Sequence, residues 1–398
     1  MRVFLTVPFV FIATFALADT SDLIKAQGLS GAEAALSAEP DKTSSDQFAL
    51  GVVRFLRGIE KTLQIRWQHN MVLKDFDIPV LRLPIEPNPD AAPFAPALIT
   101  TLFSDLRGDM DASRAALDQV DTGDDVALTL NLMDLWFDVN MNQIRDPGEG
   151  VIELGANSIM TRRDRANMDD IPGAMFVRFD TADVAWLTAY THMISGISEL
   201  VVAFDPTAAI TQVLEANEKM MALRGDIPMT NPYDGEFGGW VDQFAMVYGA
   251  LNQQPVAKNT RAAHGHFLEM VAYNKVFWHA VATETDNVNE WVPNKAQTAA
   301  LGFELPADTS ETWQALLKDA EDLLNGDLLV SYWRIAPIGG INLEKLFMDP
   351  PVVDIVTWVQ GAGLLDYMEQ GPTVTSVNFR RFSRMVAGDT LLFALLFN

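Results

Sequence analysis

The sequence predicts a mainly α protein, built as a helical bundle or solenoid-like stack with one or two short β-hairpins. Three observations lead to this fold class. Apolar residues recur at helical spacing along most of the 398-residue chain. Helix-start signals precede many of these segments, whereas alternating strand patterns are few. Hydrophobic residues make up 49% of the chain, with 23 Phe and 9 Trp, which is enough to fill a large core.

The first 18 residues are typical of a secretory signal peptide. Arg2 precedes a mostly apolar run, and Ala16-Leu17-Ala18 forms a small-x-small cleavage site. We expect cleavage after Ala18 and a mature chain that begins at Asp19, in the periplasm or outside the cell. The run is too short to cross a bilayer, and later apolar stretches are shorter than a span requires, so no membrane span is predicted.

Charge and cysteine content exclude several classes of function. The chain carries a net charge of -25 and contains no cysteine. An acidic surface repels phosphate backbones and attracts cations, so nucleic acid is not expected as a partner. Without cysteine there are no disulfide bonds and no thiolate chemistry.

Two helices are predicted at the start of the mature chain. Ser30 with Glu33 and Ser44 with Gln47 each have the spacing of a capping box, and the second helix is expected to end near Trp67. The pair resembles a tetratricopeptide-type helical hairpin. Since no second copy follows at a fixed period, one hairpin rather than an array is predicted.

Beyond this pair the chain predicts further helices and two places where strands are favoured. Residues 126–132 alternate as a short strand does, although a helix over 130–137 fits the same stretch. Residues 328–335 and 341–346 flank a turn rich in Gly and Pro and predict a β-hairpin. The helix over 181–204 is apolar nearly all round, which is typical of the centre of a bundle. The other helices are predicted at 97–106, 112–120, from 206 onward, 240–251, 259–285, 310–324, 353–367 and 377–386.

Irregular segments suggest how the chain is divided. Residues 77–96 hold six prolines and predict an extended connector. The polar stretch 160–173 is the candidate boundary between an N-terminal helical region, 19–160, and a C-terminal helical region, 174–398, which can pack as one unit. A loop rich in Gly and Pro is expected at 225–239.

The segment Asp138 to Glu149 carries the clearest chemical signal. Oxygen-bearing side chains fall at positions 1, 3, 5, 9 and 12 of a twelve-residue stretch, which resembles the calcium loop of EF-hands and of dockerin-like bacterial modules. Calcium binds about six to eight oxygens, and the resemblance implies one structural ion. The implied ligands are Asp138, Asn140, Asn142, the backbone carbonyl of Ile144, Asp146 directly or through water, and Glu149 as a bidentate ligand.

This loop departs from the family pattern at three positions. Gln143 stands where the sharp turn usually has Gly, so it must adopt a left-handed conformation at a cost of roughly 1 kcal/mol. Asn140 and Asn142 replace the more usual Asp, which removes two charges and weakens the expected affinity. The alternative interpretation is an Asx-rich turn that holds no metal.

Three segments are also similar to an uncharacterised group of secreted bacterial helical proteins. The similarity implies export and a helical fold but transfers no activity. The segments are Phe48-Ala49-Leu50-Gly51 with Phe55-Leu56-Arg57, the calcium-type loop, and Glu290-Trp291-Val292-Pro293-Asn294.

Two acidic segments lie next to aromatic residues. They are 233–242 and the group of Glu284, Asp286 and Glu290 beside Trp291. Carboxylates beside aromatic platforms are what a glycoside hydrolase needs, since it uses an acid, a base or nucleophile, and stacking on the sugar. Solvated loop acids and helix caps are the alternative interpretation.

Two further groups are candidates of a weaker kind. His266 and Glu269 fall one helical turn apart and offer two metal ligands, although core or surface histidine is the commoner case. Asp354 lies in an apolar stretch and would need a partner if buried, for which Arg334 or the Arg380-Arg381-Arg384 cluster would serve.

The absence of familiar catalytic motifs favours binding over catalysis. The sequence contains no GxSxG, GxxxxGK or HExxH motif and no GxGxxG after a strand. The sequence therefore favours an exported helical scaffold, or a ligand- or protein-binding protein with a structural calcium site. The alternatives are a carbohydrate-active hydrolase on an α-helical toroid and a purely structural envelope protein. The expected partner is a protein, a small molecule or a glycan.

Overall fold

The computed structural model describes most of the chain and confirms the predicted fold class. The described part is mainly α with two small antiparallel sheets. The predicted signal peptide, the boundary segment 160–173 and most of the helix predicted at 377–386 lie outside it. The described residues are 19–71, 83–121, 123–154, 174–225, 232–302, 305–306, 308–378 and 380.

The longer helices of the described part have 16 to 25 residues each, and two six-residue helices follow them. In chain order they are α1 (Thr20–Ala38), α2 (Ser44–Gln68), α3 (Leu98–Leu117), α4 (Thr181–Phe204), α5 (Thr207–Arg224), α6 (Pro232–Leu251), α7 (Ala257–Val281), α8 (Thr309–Leu324), α9 (Leu343–Met348) and α10 (Ile355–Gln360).

The strands form two separate sheets. β1 (Ala127–Asn131) pairs antiparallel with β2 (Phe176–Asp180), and Ala127 lies opposite Asp180 at one end of the ladder. The second sheet has the order β3 (Val330–Ser331), β4 (Gly339–Ile341) and β5 (Met368–Gln370). The predicted strand and β-hairpin are therefore present, but the hairpin is shorter than expected because residues 343–348 form α9.

Helix α1 starts earlier than predicted and bends two residues before Ser30, where a capping box was expected. Asp19 caps it by accepting a hydrogen bond from the backbone N–H of Ser21. The helix bends at Gly28, which has a left-handed φ of 67°, and the indole of Trp136 packs against this bend. A side chain at Gly28 would be strained by that φ and crowded by the indole, so the bend requires glycine.

Helices α2 and α3 pack closely because two glycines of α2 face α3. A Cβ atom at Gly51 would lie 2.5 Å from Leu117, and one at Gly58 would lie 2.8 Å from Met110. Neither distance leaves room for a methyl group unless these neighbours move. The capping box at the start of α2 is formed by Thr43 and Asp46, one residue before the predicted pair of Ser44 and Gln47.

Helix α4 is the central helix, as its all-round apolar pattern predicts. Its most extensive contacts are with α7 and then α3. Among the described helices it is the one with the length and composition to cross a membrane, but 61% of its apolar window is buried inside the protein, as in a core helix. One hydrophobic cluster runs from α1 to α8 and crosses the predicted boundary between the two helical regions.

Three helix boundaries differ from the prediction for identifiable reasons. The segments predicted at 97–106 and 112–120 form the single helix α3, because Gly108 faces open space and nothing there breaks the helix. The loop predicted at 225–239 is shorter, since α6 begins at Pro232, and proline suits the first turn of a helix. The helix predicted at 353–367 ends early at Gly361, which has a φ of 108°.

Candidate acidic site and calcium-type loop

The acidic site begins where β2 ends and α4 starts. Asp180 caps α4, and one of its carboxylate oxygens accepts a hydrogen bond of 2.8 Å from the backbone N–H of Ala182. Asp183 completes a capping box by accepting a 2.9 Å hydrogen bond from the backbone N–H of Asp180. The positive end of the helix dipole favours negative charge at this position. Local capping therefore explains why both side chains point to one place.

Two glutamates from the loop after α7 lie close to Asp180. Glu284 lies three residues beyond the end of α7, and Glu290 is buried, with 4% of its surface exposed. Glu290 is held by a 2.6 Å hydrogen bond from the backbone N–H of Val288. Among the described residues, these three carboxylates form a group in which one oxygen atom from each lies within 4.8 Å of the other two. That is the spacing with which carboxylates surround one cation.

The position of Glu284 is electrostatically unfavourable. The carboxyl end of a helix carries partial negative charge, which disfavours another anion beside it. The carbonyl groups of Val281 and Glu284 each accept a hydrogen bond from the side-chain amide of Asn294. The Glu284 carboxylate itself receives one long hydrogen bond, 3.3 Å, from Gln297. Few contacts therefore offset its negative charge.

The pKa values of the carboxyl groups in this site are raised. Burial, with a further contribution from Asp180, raises the pKa of Glu284 to about 7. Burial and then repulsion from Asp180 raise the pKa of Asp183 well above its usual range. Burial is also the main cause of the raised pKa values of Asp180 and Glu290. Four neighbouring carboxyl groups thus favour protonation or a cation over shared negative charge.

One arginine partly offsets these charges. A guanidinium nitrogen of Arg178 lies 2.8 Å from the carboxylate of Asp286 and 3.9 Å from that of Asp180. The backbone N–H of Arg178 donates a 2.9 Å hydrogen bond to the carbonyl of Asn289, which fixes the loop against β2. Arg178 therefore holds the loop in place, and its charge is directed mainly at Asp286.

The acidic site opens into a cleft of about 830 Å³ between the ends of α4 and α7. Its lining includes the acidic residues Asp118, Asp125, Asp180, Glu284 and Asp286, together with Arg178 and Tyr273. Glu290 is buried and is not among the lining residues. A cleft with five acidic residues and one arginine attracts cationic ligands.

The aromatic residue predicted beside this site packs into the core. The Trp291 ring lies 5.6 Å from Phe179 and 5.6 Å from Trp186, and Trp291 is not among the cleft-lining residues. Tyr273 does line the cleft, but its ring stacks on His192 at 5.8 Å. The free aromatic platform that sugar stacking needs is therefore not provided by Trp291.

The calcium-type loop is anchored to α2 at its first position. The backbone N–H of Asp138 donates to the carboxylate of Glu60 at 3.0 Å, and the side chain of Gln64 donates to the Asp138 carbonyl at 2.8 Å. Glu60 is almost fully buried, and burial raises its pKa. The loop is thus joined to the core through α2.

Within the loop, the predicted ligands are linked to each other. The side-chain amides of Asn140 and Asn142 donate to the same carboxylate oxygen of Asp146, at 2.6 and 2.8 Å. Gln143 has the left-handed φ, 62°, that its position requires, and its N–H donates to Asp138 at 3.1 Å. The turn geometry agrees with the calcium-loop resemblance and equally with an Asx-rich turn.

Two observations at the ends of the loop bear on metal binding. One carboxylate oxygen of Asp138 is buried and accepts no hydrogen bond from the described residues, a cost that a cation would remove. The oxygens of Glu149 each accept a backbone N–H, from Val139 at 2.9 Å and from Asp146 at 2.8 Å. Ile144 is 64% exposed and its N–H donates to Asn142. The calcium ligands stay a prediction, and Asp138 is the position that the geometry favours most.

The weaker candidates have other roles in the structure. His266 faces His192, with 2.9 Å between their Nδ1 atoms, rather than forming a metal pair with Glu269 on the same helix. Asp354 is the N-cap of α10 and accepts hydrogen bonds from the backbone N–H groups of Val356 and Thr357. Its partner is therefore the backbone, because it lies at a half-exposed helix start instead of in the core.

The predicted acidic-aromatic loop at 233–242 belongs to a helix. These residues lie within α6, which begins at Pro232. Asp242 accepts a 2.6 Å hydrogen bond from the side chain of Asn217 on α5, so it joins two helices and does not face the acidic cleft.

Sequence reasoning found two members of the acidic site and missed the third. Glu284 and Glu290 were identified as an acidic group, whereas Asp180 is about a hundred residues earlier in the chain. The spacing of Asp180 and Asp183 before an apolar run does signal a helix start. That signal predicts the cap but not its proximity to the loop after α7.

No family model, curated protein or solved structure matches this chain. The resemblances of its loop and helical segments therefore stay predictions. The geometry of the acidic cleft is the strongest indication of function.

Proposed function

We propose that this protein is an exported helical binding protein whose acidic cleft takes a divalent cation. The observation that carries the proposal is the approach of one carboxylate oxygen each from Asp180, Glu284 and Glu290 to within 4.8 Å of one another, with Asp180 and Glu284 lining the cleft. A cation among them would lower the energetic cost that raises their pKa values. Carboxylate oxygens favour hard ions such as calcium, magnesium and manganese.

We further propose that the calcium-type loop is a separate, structural site. The loop is joined to α2 through Glu60, and its predicted ligands come from Asp138 to Glu149. A metal there would stabilise a surface loop, whereas a metal in the cleft would itself be the ligand or help to hold one. The two sites are therefore tested with separate variants.

Titration calorimetry with Mn²⁺ tests the cleft. The starting protein carries Asp138→Ala, so that the loop does not contribute, and is compared with the same protein carrying Asp180→Asn as well. We expect one ion per chain in the first protein and affinity at least about tenfold weaker in the second, because one charged ligand is lost.

The matched control is Glu218→Gln in the Asp138→Ala protein, which removes an exposed carboxylate on α5. This control should bind like the starting protein. Affinity should also fall as the pH decreases below about 7, since protons then compete for Glu284. Equal binding with and without Asp180→Asn would show that the cleft is not the site.

A carbohydrate-active hydrolase is the second candidate, and the pKa of Glu284 is the observation that favours it. A carboxyl group with a pKa of about 7 is suited to act as a general acid. The close approach of the carboxylates is nearer to the separation of about 5–5.5 Å found in retaining enzymes than to the wider spacing of inverting ones.

The packing of Trp291 into the core weakens this second candidate. Hydrolysis of a glycan panel that is lost in Glu284→Gln and retained in Glu218→Gln would favour the hydrolase. Metal binding without any hydrolysis would favour the binding protein.

A further inference from the structure

A small polar pocket of about 270 Å³ lies between α3, α4 and α7, and it shares no lining residue with the acidic cleft. Apart from Ala262, its lining is charged or polar and comes from all three helices. These residues are Arg107, Asp111, Glu199, Lys258, Asn259 and His266. Because the pocket is smaller than the roughly 300–1,000 Å³ of sites for drug-sized ligands, it suits a small organic molecule.

Both carboxylates that line this pocket already have partners. Glu199 is buried, and its two oxygens accept hydrogen bonds from the guanidinium of Arg107 at 2.8 Å and from the side-chain amide of Asn259 at 2.5 Å. Asp111 forms an ion pair with Arg114, the next arginine along α3. Since a buried charge is stable only when it is paired, these contacts hold Glu199 and Arg107 in fixed positions. The two carboxylates therefore have little capacity left for a cation.

The hydrogen-bond donors of the pocket, by contrast, are not fully used. Arg107 donates through one guanidinium nitrogen to Glu199, and a guanidinium has several further N–H groups. Lys258 is exposed and forms no hydrogen bond or ion pair with the described residues. The Nδ1 atom of His266 is engaged with His192, whereas its Nε2 atom takes no part in that contact. The unused groups are therefore mainly donors, which favours an anionic ligand.

The charge balance also favours an anion, although the net charge of the whole chain is -25. The two ion pairs cancel in formal charge, so the ammonium group of Lys258 leaves the pocket with a positive excess. His266 adds no charge, because burial and then the charge of Arg114 lower its pKa. Lys258 also lies in the first turn of α7, where the positive end of the helix dipole disfavours a cation. One negative charge in the pocket would balance this excess.

We propose that this pocket is a second binding site, which takes a small organic acid with a single carboxylate. Arg107, held by Glu199, and Lys258 bind the carboxylate, since a guanidinium forms strong, charge-assisted hydrogen bonds to such a group. A phosphate monoester would bring up to about two negative charges to a pocket with a single positive excess, so it fits less well. The inference is independent of the cation proposal, because no residue lines both the pocket and the acidic cleft.

NMR of the histidine rings in the metal-free protein tests the site, because the chain has 5 His and His266 lines the pocket. The probe is acetate, the smallest stable acid of this class, which replaces chloride at constant ionic strength. Concentrations up to about 100 mM detect a dissociation constant in the millimolar range. We expect a saturable shift of the His266 signals and none for His69 or His279, which lie outside the pocket. Acetamide, which has a similar size but no charge, should leave the His266 signals unchanged.

Lys258→Gln removes the unpaired positive charge and should weaken acetate binding at least about fivefold. Its melting temperature should not fall, because the side chain has no partner among the described residues and lies where the helix dipole disfavours a cation. The matched control is Lys295→Gln, which removes an exposed lysine outside the pocket. This control should bind acetate as the wild-type protein does.

Arg107→Lys is a second variant that keeps a positive charge beside the buried Glu199, so that the ion pair can still form. It loses the planar arrangement of N–H groups that matches a carboxylate, and acetate should therefore bind more weakly. Three results would each overturn the inference. They are a His266 signal that acetate does not shift, an equal shift with acetamide, and equal acetate affinity in Lys258→Gln and Lys295→Gln.

Discussion

At the scale of single residues, three features of the half-buried Glu284 disfavour its negative charge. It follows a helix end, lies close to two other carboxylates and has one long side-chain hydrogen bond. Buried charge is costly when it is not paired. A negative charge in such a position destabilises the free protein, and a ligand of opposite charge would remove that cost.

This interpretation predicts that Glu284→Gln stabilises the metal-free protein at pH 8. The folded-state pKa, about 7, is above the unfolded value of about 4.5. The stability that protonated Glu284 contributes to the folded state is therefore fully present below about pH 4.5 and is lost as the pH rises through about 7. After allowance for solvent screening, we expect roughly 1 kcal/mol, or about 2 °C in melting temperature, at pH 8.

The difference between Glu284→Gln and wild type should disappear near pH 4, where the carboxyl group is protonated in both states. Thermal melts in chelator at both pH values measure it, with Glu218→Gln as control. A Glu284→Gln protein that melts below wild type at pH 8 would contradict this interpretation.

The calcium-type loop gives a second prediction at the residue scale. With a dissociation constant of about 0.1 mM, 1 mM calcium would stabilise the folded protein by about 1.4 kcal/mol, or about 2 °C. The measurement uses a protein with Asp180→Asn and Glu284→Gln, so that the cleft does not contribute. Addition of Asp138→Ala should remove the calcium effect, because it deletes the buried oxygen that lacks a partner. Equal calcium effects with and without Asp138→Ala would leave the loop as an Asx-rich turn.

Residue types alone predicted part of each site. The spacing from Asp138 to Glu149 predicted the sharp turn, including the left-handed conformation of Gln143. It did not predict that Glu149 binds the backbone N–H groups of Val139 and Asp146, because such contacts depend on how the loop closes. Asp180 could not be connected to Glu284 because their proximity results from the packing of α4 on α7.

At the scale of elements, the contact between α4 and α7 contains a neutral histidine pair. His192 and His266 approach to 2.9 Å through their Nδ1 atoms, so one nitrogen must donate and the other must accept. Burial, then the nearby charges of Arg114 and His266, lower the pKa of His192 to about 3. The pair is therefore stable only while His192 is uncharged.

This pair predicts acid sensitivity of the helix contact. A lowered folded-state pKa contributes stability above the unfolded value, about 6.5, which is lost as the pH falls towards about 3. His192→Phe keeps the stacking position on Tyr273 but cannot be protonated, so its melting temperature should fall less between pH 7 and pH 5 than that of wild type. His279→Gln, at an exposed position of α7, is the control. A wild-type-like decrease in His192→Phe would contradict the prediction.

Helical elements were predicted well where periodicity was strong. The bounds of α4 agree with the prediction because an apolar helix with an Asp180 cap has a clear start and its end is marked by Asp205 and Pro206. Boundaries were wrong where a single Gly or Pro decided them. Gly108 does not break α3, Pro232 starts α6, and these outcomes depend on packing that the local sequence does not contain.

At the scale of the whole molecule, the predicted mainly α class is confirmed, and the arrangement of the helices comes from the structure alone. Strong helical periodicity predicts which elements form, but not which of them are neighbours. The acidic cleft results from such a neighbour relation, because it forms where the N-terminus of α4 meets the loop after α7.

The most direct test of the cation proposal is crystallography of the protein soaked in Mn²⁺, with anomalous difference maps. The account predicts a peak among the carboxylates of Asp180, Glu284 and Glu290, at about 2.2 Å from their oxygens. The same soak of the Asp180→Asn protein should reduce the peak. A map without density at these three residues, or with a peak only at the loop that begins at Asp138, would contradict the proposal.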